Sequence, residues 1–252
     1  MSRIISLPEG VSSFLASGQE GIDVTVVLLA LLACALAYSV LSILAVQRYL
    51  AVKPPVLEAP QSISILKPLS GLDLGLESNL RTFFEQDYAD FEILFAVRSA
   101  NDPAAEVVEK LRREYTRVPS RLLVTGEPRY SNAKVYSLEL MLEAAANDLV
   151  VMSDSDTRVG PDMLRKVGAE FQDSRVSVVT CPYRAVPGPS FWSRLEAVGL
   201  NTNFMAGILV ARMMEGMRFA VGPTIVARRS VLKSIGGFSR LKDYLAEDFV
   251  MG

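Results

Sequence analysis

The run Leu149-Val150-Val151-Met152-Ser153-Asp154-Ser155-Asp156-Thr157 places two carboxylates at i, i+2 spacing directly behind an apolar, β-rich segment. Such a pair sits where open α/β sheets bind ligands, beyond the carboxyl ends of their strands. Its oxygens can hold a hard divalent cation and leave coordination positions for a diphosphate, so that the cation neutralises charge on a departing nucleotide. Taken alone, the same pair also reads as a solvated acidic turn. A second acidic pair, Glu247-Asp248, lies near the last residue, and in isolation it reads as carboxylates complementing a helix N-terminus. Histidine is absent from the chain, which removes Ser/His/Asp and Cys/His catalysis and every His-ligated metal site. Acid–base and metal chemistry therefore fall mainly to carboxylates.

Carboxylates at a strand end need a sheet behind them. The 252 residues suffice to bury a core, and half of them are apolar. The 26 basic and 28 acidic side chains give a formal net charge of −2, with no sign of a nucleic-acid partner. Strand candidates at 63–66, 91–97, 121–124, 148–152 and 176–181 alternate with apolar stripes at helical spacing: Leu76, Leu80, Phe83 and Phe84; Val108, Leu111 and Tyr115; Val135, Leu138, Leu142 and Ala145; Met163, Val167 and Phe171. That alternation predicts an α/β domain with a mostly parallel sheet. Cys34 lies in an apolar run and Cys181 in a strand-like one, so no disulfide between them is expected.

Ahead of this domain, residues 24–46 carry no charge and would make a helix of about 35 Å, enough to span a bilayer. The run is longer than a signal-peptide core and follows an acidic leader, residues 1–23, so a retained anchor is expected. Arg48 and Lys53 behind it, against Arg3 before it, favour a cytoplasmic C-terminal domain. Residues 47–61, with Pro54, Pro55 and Pro60, read as a stiff linker, and the folded domain is expected from residue 62 to 252. A further uncharged run, 197–211, is too short to cross a bilayer. It reads equally as a helix lying on the membrane or as a buried helix covering the sheet.

Motif order along the chain adds a resemblance. Ile65-Leu66-Lys67-Pro68-Leu69-Ser70-Gly71, the Phe83-Phe84-Glu85-Gln86-Asp87-Tyr88 helix end, Ser131-Asn132-Ala133-Lys134, the Asp154/Asp156 pair, Gly236-Gly237-Phe238 and Tyr244-Leu245-Ala246-Glu247-Asp248-Phe249 follow in series. The series resembles the ceramide glucosyltransferase family and its bacterial hopanoid-modifying relatives, over roughly residues 40–252. This resemblance implies a GT-A fold, Rossmann-like with a mixed, mostly parallel sheet, behind an N-terminal transmembrane helix. It implies an inverting enzyme that moves a hexose from a UDP-sugar to a lipid hydroxyl, UDP-glucose to ceramide first and UDP-GlcNAc to a bacteriohopanetetrol-type hopanoid second. Asp154 and Asp156 would bind the Mg2+ or Mn2+ diphosphate complex, and Asp248, with Glu247 beside it, would be the general base. Lys67, Pro68, Asp102, Asn132 and Lys134 would lie on the nucleotide side. The implied location is the bacterial inner membrane, single-pass in this chain and multi-pass at full length, with the catalytic domain inside.

Three departures accompany the resemblance. Ser99 stands where an aspartate is common after the second strand, leaving Asp102 to approach uracil or ribose only through a shifted loop. The chain stops at Gly252, ahead of the family's Gln/Arg-x-x-Arg-Trp element and later membrane helices, which reads as a truncated frame. The acceptor-side histidine of some members is missing. A UDP-sugar-binding membrane protein without turnover is therefore the competing reading from another class. Phosphoryl transfer through an aspartate nucleophile is disfavoured by Arg158 two residues after the second Asp.

Overall fold

Period-2 alternation along the strands sorts side chains into two apolar cores, one on each face of a single six-stranded sheet. The structure is a computed structural model and describes residues 24–244 and 248, so the expected leader 1–23 and Glu247 lie outside the described residues. In chain order the elements are α1 (Val24–Leu50), β1 (Ile63–Pro68), α2 (Leu76–Phe84), β2 (Phe91–Val97), α3 (Pro103–Glu114), β3 (Ser120–Val124), α4 (Ala133–Ala144), β4 (Leu149–Ser153) and α5 (Met163–Glu170). Then come β5 (Val178–Thr180), α6 (Phe191–Gly199), a π-helical turn (Leu200–Phe204), α7 (Met205–Glu215), β6 (Thr224–Arg228), α8 (Arg229–Ser234) and a 3-10 turn (Phe238–Leu241).

The sheet order is β3-β2-β1-β4-β6-β5, with the first four strands mutually parallel and β6 antiparallel to both of its neighbours. One face presents Ile63, Ile65, Ile93, Phe95 and Val151 to α2, α3 and α5, where Leu80, Phe83, Val108, Leu111 and Leu164 are fully buried. The other presents Leu66, Leu94, Val150, Ile225 and Ala227 to α4, α8 and the 3-10 turn. Burying each such large side chain contributes about 1.5–3 kcal/mol. The mixed, mostly parallel α/β sheet expected from the sequence is therefore the one observed.

Local chemistry sets the helix starts. Asp102 caps α3, its carboxylate accepting from Ala104 N–H at 2.9 Å with Pro103 at the first helical position. Asn132 caps α4 by accepting from Val135 N–H at 3.1 Å, and Ser190 caps α6 by accepting from Ser193 N–H at 3.0 Å.

Three expectations change. The apolar helix runs to Leu50 rather than ending at 46, because Gln47-Arg48-Tyr49 carries nothing that breaks a helix before the Pro54-Pro55 pair. It is the one helix among the described residues that is long and apolar enough to cross a membrane. The strand expected at 176–181 is confined to Val178–Thr180, and its partner β6, not anticipated, lies between it and β4. The run 197–211 does not cover the sheet. Leu209 and Val210 of α7 are buried against Ala45 of α1, with Tyr49 and Met213 packed alongside. On α6, Phe191, Trp192, Leu195 and Val198 remain exposed. Cys34 and Cys181 are both free thiols, as expected.

Candidate active site at the strand ends

The chain runs outward from β1 through β2 to β3, then returns to form β4 on the other side of β1. This reversal opens a crevice at the carboxyl ends of β1 and β4, the place where open α/β sheets bind ligands. Pro68, Lys134, Ser153, Asp154, Gly222, Pro223 and Asp248 line one small cleft there.

Asp154 is held from three sides. Its N–H donates to Pro223 O at 2.9 Å, and its carbonyl accepts from Lys67 Nζ. Its Oδ1 lies 2.6 Å from Lys134 Nζ. Burial pushes the Asp154 carboxyl above its ordinary range, against the pull of Lys134 and Lys67. Lys67 itself is fully buried, with its ammonium 4.0 Å from the centroid of the Phe83 ring and 3.5 Å from Ser153 Oγ. Burial lowers its pKa to about 7, while Asp154 and Asp156 pull it upward. Lys67 therefore lies beneath the crevice as a brace between β1 and the turn after β4. Ser153 Oγ and Thr224 Oγ1, 3.0 Å apart, tie β4 to β6 at the same level.

Asp156 is exposed, and the Ser155 hydroxyl between the two carboxylates donates to Asp73 in the loop after β1. Arg158 is tied to α2, its Nε donating to Asn79 Oδ1 at 2.7 Å and its second guanidinium nitrogen to Ser78 Oγ at 2.6 Å. Among the described residues no three His, Cys, Asp or Glu side chains gather as a metal-ligand group. Two hard carboxylates at the mouth of a crevice, one of them exposed, are nevertheless donors of the type that would suit a divalent cation.

Asp248 reaches the cleft from the far end of the chain, its Oδ2 accepting from Gly222 N–H at 3.1 Å. Gly222 has φ +89, and a Cβ placed there would stand 2.7 Å from the Tyr183 ring. Burial, together with the charge of Asp248, raises the Tyr183 hydroxyl above its ordinary value.

The other expected residues take different places. Asp102 is committed to structure: besides capping α3, it accepts from Gly71 N–H at 3.0 and 3.2 Å, which fixes the loop after β1 in the left-handed turn at Gly71. Asn132 stands at the α4 N-terminus, and its side-chain amide donates to Tyr244 O at 2.9 Å, joining the segment before Asp248 to the helix that carries Lys134. The crevice thus gathers Pro68, Lys134, Asp154 and Asp248, with Lys67 beneath. Gly222, Pro223, Thr224 and Tyr183 were not singled out from the sequence; the Gly222-Pro223 turn signal ahead of the β-branched Thr224-Ile225-Val226 carried the available clue.

The sequence model of glycosyl transferase family 21 matches residues 26–252. Ceramide glucosyltransferase 1 of Caenorhabditis elegans is 31% identical over 189 residues, which is 74% of this chain and 40% of that protein. Ceramide glucosyltransferase of Komagataella phaffii is 36% identical over 109 residues, 42% of this chain and 21% of that protein. The chain therefore spans well under half the length of these curated relatives. Among solved structures, the mannosyltransferase PcManGT from Pyrobaculum calidifontis, in complex with GDP-Man and Mn2+, superposes with a TM-score of 0.60 at 20% identity, covering 86% of this chain and 60% of that one. That likeness concerns the fold, which is GT-A.

Proposed function

Because the chain belongs to glycosyl transferase family 21, we propose that the crevice transfers a hexose from a UDP-sugar to the hydroxyl of a membrane lipid, with UDP-glucose as donor and ceramide as acceptor. The observation that carries the reading is the meeting of Asp154 and Asp248, distant in sequence, in one cleft at the sheet's switch point. Asp154 and Asp156 would hold Mg2+ or Mn2+, which when bound supports UDP as the leaving group. Lys134 fixes the Asp154 carboxylate, and Lys67 fixes the backbone behind it.

Asp248 takes the proton of the acceptor hydroxyl as its oxygen attacks the anomeric carbon in line. The new C–O bond forms on the face opposite the breaking bond to the UDP phosphate oxygen, so the configuration inverts. The Gly222 N–H orients the base by donating to one of its carboxylate oxygens. Glu247 is the neighbouring alternative for the same role. The GT-A domain begins at residue 62 and is anchored by the apolar helix in the bacterial inner membrane, with the crevice on the cytoplasmic side, in keeping with Arg48 and Lys53 behind the span.

The test is transfer of labelled glucose from UDP-glucose to ceramide, run beside a hopanoid acceptor and UDP-GlcNAc, together with UDP binding by Asp156→Asn. The nearly isosteric neutral variant is expected to weaken Mg2+- or Mn2+-dependent UDP binding by at least about tenfold, roughly 1.4 kcal/mol. Unchanged metal-dependent affinity would reduce the pair to an acidic turn.

A further inference from the structure

We propose that the cleft between the C-terminal end of α1 and α7 binds the phosphate headgroup of an anionic membrane phospholipid, apart from the donor and acceptor crevice. The inference rests on the reading of α1 as a membrane anchor. The cleft encloses about 370 Å³. Ala45, Leu209, Met213 and Met217 give it an apolar wall, and Arg48 and Arg212 stand among them.

Charge complementarity identifies the occupant. Arg48 is the first charged residue after the uncharged apolar run of α1, which puts it at the level where the hydrocarbon gives way to headgroups. The Arg212 guanidinium lies over the Tyr49 ring, 5.4 Å from guanidinium carbon to centroid, which holds its plane. Among the described residues neither arginine forms an ion pair with a carboxylate. The guanidinium forks of the two arginines match phosphate oxygens better than any neutral headgroup. One helical turn before Ala45 and Arg48, Leu41 and Leu44 are exposed on α1, where acyl chains can follow a headgroup that free phosphate would lack.

A competing account uses the same arginines. Each stands in the last turn of its helix, where a cation also complements the helix dipole. That role needs charge but no ligand and gives no preference among lipids.

The experiment is native mass spectrometry of the 252-residue chain released from nanodiscs of phosphatidylcholine mixed with phosphatidylglycerol, counting the lipids that remain bound. Wild type is expected to retain phosphatidylglycerol over phosphatidylcholine, and Arg48→Gln/Arg212→Gln to lose that preference by about tenfold or more while keeping wild-type UDP affinity. Arg48→Lys/Arg212→Lys, which preserves charge at both helix ends but not the forks, is expected to fall between them. Equal retention of the two lipids by wild type overturns the proposal without recourse to any variant. So do displacement of the retained lipid by millimolar inorganic phosphate, which would identify a free-anion site, and displacement by ceramide, which would make the cleft an acceptor path. Glycosyl transfer is measured separately, so its absence would count against the proposed function while lipid retention decides this site.

Discussion

The crevice at the strand ends and the flank formed by α1, α6 and α7 are built from opposite materials. In the crevice the polar groups lean on one another: Asp154 is held by Pro223, Lys67 and Lys134, Asp248 by Gly222, and the neighbouring loop by Asp102. Its geometry is fixed before any ligand arrives. The flank offers Phe191 and Trp192 at 69% and 74% exposure, beside Leu195 and Val198, with no protein cover among the described residues. Its apolar surface gains free energy only from a surrounding that supplies apolar contact. The crevice should therefore respond to changes of single atoms, and the flank to its solvent.

The largest effect is expected at Asp248. Asp248→Asn should cut sugar transfer by about 10²- to 10⁴-fold, the usual worth of a general base, while UDP-sugar affinity in a binding assay stays near wild type. Loss of donor affinity as well would move Asp248 to the nucleotide site, and full transfer would pass the role to Glu247.

Gly222→Ala sharpens the contrast by adding a single carbon. Its positive φ costs a side chain about 1–3 kcal/mol, and the new Cβ meets the Tyr183 ring at 2.7 Å. Thermal denaturation should show the loss, and transfer should fall because the N–H that orients Asp248 moves with the backbone. Adding Tyr183→Ala relieves the collision but not the backbone cost, so the double variant should recover only in part. Wild-type stability and turnover in Gly222→Ala would break the claim that the crevice is rigid.

On the flank the expected effect is smallest. Trp192→Ala in detergent should change stability by no more than about 0.5 kcal/mol, since the ring buries little within the protein. Trp192 is the sole tryptophan, so its fluorescence reports this face alone. In liposomes it should be quenched by brominated lipids and shielded from aqueous acrylamide. The reverse pattern would make the flank a water-facing surface.

How much of this was legible in the sequence follows from which signals are local. Strand β2 is as expected at 91–97, since an apolar run between turn residues needs no distant information, and the stripes of α2, α4 and α5 mark their buried sides. The Asp154/Asp156 turn was legible because a buried strand must end before charge begins. Strand β6 was not, although Thr224–Arg228 is β-branched and follows Gly222-Pro223, because its place between β4 and β5 is a matter of pairing that short-range periodicity does not encode. Asp102 carried a capping signature, Asp followed by Pro, that competed with its reading as a nucleotide contact. In the structure the backbone N–H groups claim its oxygens. The burial of Lys67 likewise could not be read from its neighbours, because it depends on Phe83 and on the turn after β4.

The antiparallel pairing of β5 with β6 has a topological consequence. Thr180 faces Ile225, and Cys181 N–H reaches Thr224 O at 3.0 Å, so the chain that departs at 181 re-enters beside its own exit. The whole stretch through α6 and α7 is then the loop of an outsized β-hairpin, closed at its neck. Loop closure grows only logarithmically with length, about 0.6 kcal/mol per doubling, so a loop of this kind can be lengthened or exchanged at little expense to the sheet. Its returning limb ends at Gly222-Pro223, one wall of the crevice. The hairpin's own neck therefore supplies the peptide group that holds Asp248, so the strand pairing that closes the loop also sets one wall of the site.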